Sequence, residues 1–147
     1  MGVDYVFDTV FSEDLTIMEE GTEFVKRFTS GELKDRPMFT SCCPGWVRFA
    51  KSQFPQLVKY LSTAKSPQQM FGALLKSYYC QKYGIDPKKL FVVSVIPCTA
   101  KKYEGGRPEE KTYDYQDVDV ALTTRELAKM IRGAGIKFAD LQDEAFD

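Results

Sequence analysis

Hydrophobic residues gather in four short runs that have the character of β-strands. They are VDYVFD (Val3–Asp8), MFTS (Met38–Ser41), LFVVSVI (Leu90–Ile96) and VDVALT (Val118–Thr123). The third run is almost continuously apolar, which is typical of a strand that is covered on both faces. The pattern therefore predicts four strands.

Helical patterns lie between and after these runs. Pro67 follows a serine and precedes a stretch with helical spacing, which is the usual way for a helix to begin. Thr123 and Glu126 have the spacing of a capping box. The predicted helices extend from a Ser12 cap to about Phe28, from Pro44 to about Phe54, from a Ser66 cap to about Tyr83 before Gly84, and over Arg125–Arg132.

The alternation of strands and helices predicts an α/β fold, with a four-stranded and mainly parallel sheet flanked by helices. The length of 147 residues suits a single domain over residues 1–147. The polar stretch Glu104–Asp117 is expected to be a surface loop.

Composition narrows the choice of partners. Hydrophobic residues make up 44% of the chain, charged residues 28%, and the net charge is −1, as in a globular protein without a basic nucleic-acid footprint. No apolar run approaches the ~20 residues that span a bilayer. We therefore expect neither a nucleic acid nor a membrane as partner.

The chain has no histidine and four cysteines, Cys42, Cys43, Cys80 and Cys98. The lack of histidine excludes catalysis by a serine–histidine or cysteine–histidine pair and metal sites that use imidazole. Acid–base chemistry then falls to carboxylates, lysines, tyrosines or thiols. Free thiols or metal ligands are expected rather than disulfides, because nothing indicates an oxidising compartment.

Three of the cysteines follow predicted strands. Cys42 and Cys43 come directly after the second strand and Cys98 directly after the third. Ligands of open α/β sheets bind at the carboxyl ends of the strands, so both turns are expected at one edge. Cys43 is the predicted N-cap before Pro44, where helix N–H groups favour negative charge on sulfur, and Lys101 follows Cys98 closely.

Two interpretations of these thiols remain open at this point. They are ligands for iron, as in iron–sulfur clusters, or small buried hydrophobic residues. Cys80 lies inside an apolar helical stretch, and there the core interpretation is preferred.

The first helix carries Glu20, Glu23 and Arg27 at spacings of three and four, so they share one face. The ordinary interpretation is a solvated charged face. The alternative is a proton path toward the cysteine edge, to which Ser62 would contribute a hydroxyl.

Five motifs together resemble the catalytic domain of FeFe-hydrogenases, also called iron-only hydrogenases, and they cover essentially the whole chain. They are DLTIMEEGTEF (Asp14–Phe24), TSCCPGW (Thr40–Trp46), STAKSPQQMFG (Ser62–Gly72), IPCTAKKYE (Ile96–Glu104) and ALTTRELAKMI (Ala121–Ile131).

The resemblance implies one lobe of a two-lobed domain that encloses the H-cluster, a 4Fe–4S cubane linked by a cysteine to a di-iron subsite. It implies reversible reduction of protons to dihydrogen, with ferredoxin as electron partner. A cytoplasmic location is expected, or a hydrogenosome or plastid in a eukaryote.

The resemblance also implies roles for single residues. Cys43 and Cys98 would be cubane ligands, and Cys42 the thiol that passes protons to the di-iron subsite. The proton path would contain Glu20, Ser62, Glu23 and Arg27. Residues around the ligands of the di-iron subsite would be Lys101, which would bind a cyanide, together with Pro67, Gln68 and Ile96.

The sequence departs from the family pattern in two respects. Ile96 stands where the family usually has methionine, and the chain ends at Asp147 before the motif that carries the other two cubane cysteines. We therefore expect an incomplete cluster site, no hydrogen turnover by the isolated chain, and a second lobe or another copy as partner.

Two alternatives to a hydrogenase remain. One is a non-catalytic relative that binds or assembles iron–sulfur clusters, which would not need the proton path. The other is a flavodoxin-like binding module, which is disfavoured because FDTVFSED (Phe7–Asp14) after the first predicted strand contains no glycine.

Overall fold

Helices flank a small parallel sheet in the computed structural model, which describes residues 2–147. The α-helices are α1 (Val10–Thr29), α2 (Pro44–Gln53), α3 (Pro67–Leu74), α4 (Cys80–Tyr83), α5 (Ala100–Gly105) and α6 (Thr124–Gly133). The strands are β1 (Val93–Val95) and β2 (Val120–Leu122), and Leu75–Tyr79 is a π-helical segment. Short 3-10 helices cover Pro55–Tyr60, Pro108–Glu110 and Phe138–Asp140.

Three of the four predicted helix starts are confirmed. Cys43 is the N-cap of α2, and α3 begins at Pro67. The capping box of α6 is formed by Thr123 and Glu126. The predicted Ser12 cap is wrong, because α1 begins earlier and the Ser12 hydroxyl lies inside it, donating to the Thr9 carbonyl at 2.8 Å.

The long third helix has the predicted extent, but it contains a π-helical segment that was not predicted. It runs from Pro67 through the π-helical segment to Tyr83, and Gly84 ends it with a φ of 66°. A positive φ is accessible to glycine at low cost, so the sequence signal for the helix end was correct. Helical spacing in a sequence does not distinguish an α turn from a π turn.

The α/β class is confirmed, but the predicted number of four strands is wrong for residues 2–147. The sheet has two parallel strands in which Val93, Ser94 and Val95 pair with Val120, Ala121 and Leu122. Ile96 extends the pairing, since its N–H donates to the Leu122 carbonyl at 2.8 Å. Even with Ile96 included, the paired segment is shorter than the apolar run Leu90–Ile96 from which the strand was predicted.

The other two predicted strands lack ladders. Met38–Ser41 forms a single parallel bridge from Phe39 to Leu61. Val3–Asp8 has no strand pairing, and its Phe7 ring instead contacts Phe71 and Tyr79 at centroid distances of 5.8 and 5.5 Å. An alternating apolar segment becomes a strand only where another strand offers its backbone.

The stretch Glu104–Asp117 is not the fully exposed loop that its polarity predicts. Its first residues complete α5, and both Glu104 and Asp117 are buried. Each carboxylate pairs with a lysine, Lys101 for Glu104 and Lys65, at 2.5 Å, for Asp117. Burial of a carboxylate is tolerated when such a partner is present.

The core is small and contains many polar groups. Its buried apolar residues include Val47 and Ala50 of α2 with Leu75 and Val118. Valines of both strands remain more than a third exposed, so one face of the sheet is uncovered among the described residues. Within residues 2–147, no helix has the length and apolar content that a membrane span requires.

Candidate functional site: two cysteine turns connected by a lysine

The first cysteine turn connects the Phe39 bridge to α2. Cys42 and Cys43 are both exposed, and the Cys43 sulfur accepts a hydrogen bond from the Trp46 N–H at 3.4 Å. Pro44 follows as the first residue of α2, where its missing N–H costs nothing. The turn thus holds one sulfur against the helix start and leaves its neighbour outside that contact.

The second cysteine turn connects β1 to α5. Cys98 is exposed and lies between the end of the sheet pairing at Ile96 and the start of α5 at Ala100. Its carbonyl accepts from the Lys101 N–H at 3.2 Å. The expected placement of a cysteine turn directly after a strand is therefore confirmed for this turn.

Lys101 connects the two turns. Besides its backbone contact with Cys98, its ammonium donates to the Cys42 carbonyl at 2.6 Å. The residue is buried although it carries a charge. The two turns therefore lie within the reach of one lysine side chain, although the first turn follows an isolated bridge and not a strand of the β1–β2 sheet.

Glu104 supports this lysine, and sequence reasoning missed it. Its carboxylate accepts from the Lys101 ammonium at 3.2 Å, from the Ser66 hydroxyl at 2.7 Å and from the Gln68 amide at 2.8 Å. The available signal was the three-residue spacing of Lys101 and Glu104, which places them on one helix face.

A hydroxyl, a carboxylate and a guanidinium form a continuous row beside the first turn. The Ser62 hydroxyl donates to Glu23 at 2.6 Å, and Arg27 pairs with the same carboxylate at 2.7 Å. The Thr63 N–H also donates to Glu23, at 3.0 Å. The parallel bridge between Phe39 and Leu61 brings this row next to the Cys42 turn.

The remaining predicted site residues show fewer contacts. Glu20 lies half-buried on α1, one turn before Glu23, with no hydrogen bond to another described residue. Gln68 is buried; its amide nitrogen also donates to the Lys101 carbonyl at 3.2 Å, whereas its Oε1 has no partner among the described residues. Pro67 and Ile96 are half-buried at the start of α3 and the end of the β1 pairing.

Cys80 lies apart from these turns. It is 2% exposed within the long helix, and burial raises the pKa of its thiol. The prediction that it is a core residue is confirmed.

The thiols of the two turns suit iron, but they are few. Iron–sulfur cubanes are held by four thiolates. Among residues 2–147, no group of three or more cysteine, aspartate or glutamate side chains is arranged to hold a metal ion. The described residues therefore do not complete a cubane site by themselves.

Fold and site together define an α/β unit in which one lysine connects two turns that carry exposed thiols. A family model described as iron only hydrogenase large subunit, C-terminal domain, matches residues 1–147. The chain belongs to this family.

Curated relatives include two kinds of protein. The chain is 55% identical to an NADP-reducing hydrogenase subunit of Solidesulfovibrio fructosivorans and 52% identical to iron hydrogenase 1 of Clostridium pasteurianum, in both cases over all of this chain. It is 38% identical, again over its whole length, to cytosolic iron-sulfur assembly component 3 of Rattus norvegicus.

A solved structure of an apo FeFe-hydrogenase from Chlamydomonas reinhardtii superposes on 99% of the chain with a TM-score of 0.92 and 43% identity. The chain spans 26%, 25% and 32% of the three curated relatives and 37% of the algal protein. It therefore corresponds to about a quarter to a third of each of these proteins.

Proposed function

We propose that the chain contributes one lobe of an iron-only hydrogenase catalytic domain, which interconverts protons and dihydrogen at an H-cluster and exchanges electrons with ferredoxin. The observation that carries the proposal is a combination of three neighbouring features. They are the two cysteine turns, the lysine that contacts both of them, and the hydrogen-bonded row Ser62–Glu23–Arg27. Family membership alone does not distinguish a hydrogenase from an assembly component.

In this proposal Cys43 and Cys98 hold the cubane. Lys101, Pro67, Gln68 and Ile96 surround the ligands of the di-iron subsite. When bound, the cluster would supply the redox-active metal at which protons are reduced, with the electrons delivered by ferredoxin. An ammonium suits an anionic cyanide, because a charge-assisted hydrogen bond is stronger than a neutral one.

Cys42 is the thiol that exchanges protons with the site, and Ser62, Glu23 and Arg27 continue the path outward. A hydroxyl can donate one proton while it accepts another, and a carboxylate can hold a proton in transit. The Ser62–Glu23 contact of 2.6 Å has the length that a direct proton transfer requires. Glu20 is assigned to the path because it lies on α1 one turn before Glu23.

The isolated chain is proposed to be inactive. It supplies two of the four thiolates of a cubane, so a second lobe or another copy has to supply the others. We place the protein in the cytoplasm.

A second candidate function is cluster binding or assembly without hydrogen turnover. It is favoured by the 38% identity to the assembly component over the whole chain. Such a protein would keep Cys43 and Cys98 but would have no use for a connected Ser62–Glu23–Arg27 row.

The test is a chimera in which residues 1–147 replace the matching stretch of the Clostridium pasteurianum hydrogenase, compared with the chain alone after supply of the di-iron cofactor. We expect dihydrogen and the infrared bands of CO and cyanide from the chimera, and neither from the chain. A Cys43→Ser chimera is the matched control and should lose both signals.

A chimera that carries a cubane but shows no CO or cyanide bands would support the assembly function instead. Dihydrogen evolution by the isolated chain would contradict the requirement for a partner lobe.

A further inference from the structure

Glu104 joins α5 to the start of α3 inside the protein. It is 2% exposed and lies on α5, while its hydrogen-bond donors come from Ser66 and Gln68 at the start of α3 and from Lys101. A carboxylate with this degree of burial needs such partners to compensate for the water it has lost. It is therefore a fixed acceptor around which the donors are arranged.

The ammonium of Lys101 has three N–H donors. One is directed to the Cys42 carbonyl at 2.6 Å and one to Glu104 at 3.2 Å. This arrangement leaves one donor for a ligand at the cysteine turns. Because the backbone N–H of the same residue contacts Cys98, the position of this side chain also relates the two turns to each other.

We infer that Glu104 is a positioning residue, which holds Lys101 against the Cys42 carbonyl and thereby fixes the separation of the two cysteine turns before any cluster binds. That the turns receive a cluster rests on the proposed function. The positioning itself depends only on contacts within this chain.

The physical reason is the charge of Glu104. Without it, a buried ammonium keeps a single neutral acceptor, and a long flexible lysine then gains by turning its charge toward water. The Cys42 carbonyl would lose its donor, and the first turn would lose its contact with α5. The hydroxyl and amide contacts of Ser66 and Gln68 do not replace this link, since they end on α3.

The first experiment is hydrogen–deuterium exchange on the cofactor-free chain and on the cofactor-free chimera. Glu104→Gln keeps an acceptor oxygen for Ser66 but removes the charge that holds Lys101. We expect the amides of Trp46 and Val47, whose acceptors are the sulfur and carbonyl of Cys43, to exchange about tenfold faster or more in this variant, the scale for losing a hydrogen bond to a charged group. Lys101→Met should give the same increase, and the double variant no further increase.

Glu109→Gln is the matched control. Glu109 also accepts from a lysine, Lys51, at 2.6 Å, but it is exposed and its hydrogen-bond donors, Lys51 and Arg107, belong to neither cysteine turn. The exchange of Trp46 and Val47 in this variant should equal that of the unmodified protein.

The inference is overturned if Glu104→Gln exchanges like the unmodified protein at Trp46 and Val47, or if its increase is confined to residues 66–69. The second pattern would mean that Glu104 only packs α3. These results do not depend on a cofactor, so they stand even if the chimera fails to assemble an H-cluster and the proposed function is wrong. If the cluster assembles, Glu104→Gln should also shift a cyanide infrared band, and an unchanged spectrum would contradict the positioning role.

Discussion

Two glycines in helices should respond oppositely to the same substitution. At Gly72 in α3, an added Cβ would lie 2.7 Å from the carbonyl carbon of Asp117 and 2.9 Å from a methyl group of Val118. At Gly21 in α1, an added Cβ would meet nothing within 4 Å. Real Cβ atoms do not approach a backbone as closely as the Gly72 geometry would require.

The magnitudes follow from helix propensity and packing. Alanine in place of glycine inside a helix gains about 0.5–1 kcal/mol, and this gain is available to both variants. Overpacking against well-packed neighbours costs about 1–3 kcal/mol, and the cost falls only on Gly72→Ala. We therefore expect Gly21→Ala to stabilise by up to about 1 kcal/mol and Gly72→Ala, net of the same gain, to destabilise by about 1 kcal/mol.

The measurement is urea unfolding at pH 7 followed by circular dichroism, with both variants and the unmodified protein fitted to the same m-value. Gly72→Ala should have the lowest midpoint and Gly21→Ala the highest. A Gly72→Ala midpoint equal to or above that of the unmodified protein would show that α3 does not pack against Asp117 as described.

The remaining predictions concern the thiols, acid stability and the proton row. In native protein a thiol reagent at pH 8 should modify Cys42, Cys43 and Cys98, and Cys80 only after unfolding, because the Cys80 thiol is buried and its pKa is raised. Mass spectrometry counts the modified thiols, and four rapid modifications would contradict the expectation. The hydrogen bond from Lys102 lowers the pKa of Glu126 from 4.5 to about 2, so its contribution to stability is complete above pH 4.5 and is lost as pH falls toward 2. The difference in urea midpoint between Glu126→Gln and unmodified protein should accordingly be present at pH 7 and vanish near pH 2; a constant difference would refute this. In the chimera, Ser62→Ala should lower hydrogen evolution about 100-fold, whereas Ser62→Thr, which keeps the hydroxyl, should retain most of it, and equal rates would exclude Ser62 from the proton path.

Local signals in the sequence predicted much of this structure. The capping box of Thr123 and Glu126 and the helix end at Gly84 depend on residues close together in the chain, and both are present. The N-cap position of Cys43 is likewise set by Pro44, the residue that follows it. The proximity of the two cysteine turns was predictable because each turn comes directly after a predicted strand.

Features that depend on distant partners were not predictable. The Val3–Asp8 run alternates like a strand, but its Phe7 packs on the long helix. Asp117 is of a residue type usually found at the surface, and only the folded chain reveals Lys65, the distant partner that permits its burial. The roles of Cys42, Lys101 and the proton row remain predictions from the family resemblance.

The π-helical segment Leu75–Tyr79 gives the chain a point at which its length can change. Each residue of an α-helix turns the chain by roughly 100°, and a π turn closes over one residue more than an α turn. Loss of one residue here would let the segment close into regular α-helix and would leave the phase of α4 relative to α3 almost unchanged. Loss of one residue within Pro67–Leu74 would instead rotate α4 by about 100° and move Cys80 out of the core. Natural variants of this protein should therefore tolerate a single-codon deletion within residues 75–79 better than one within residues 67–74.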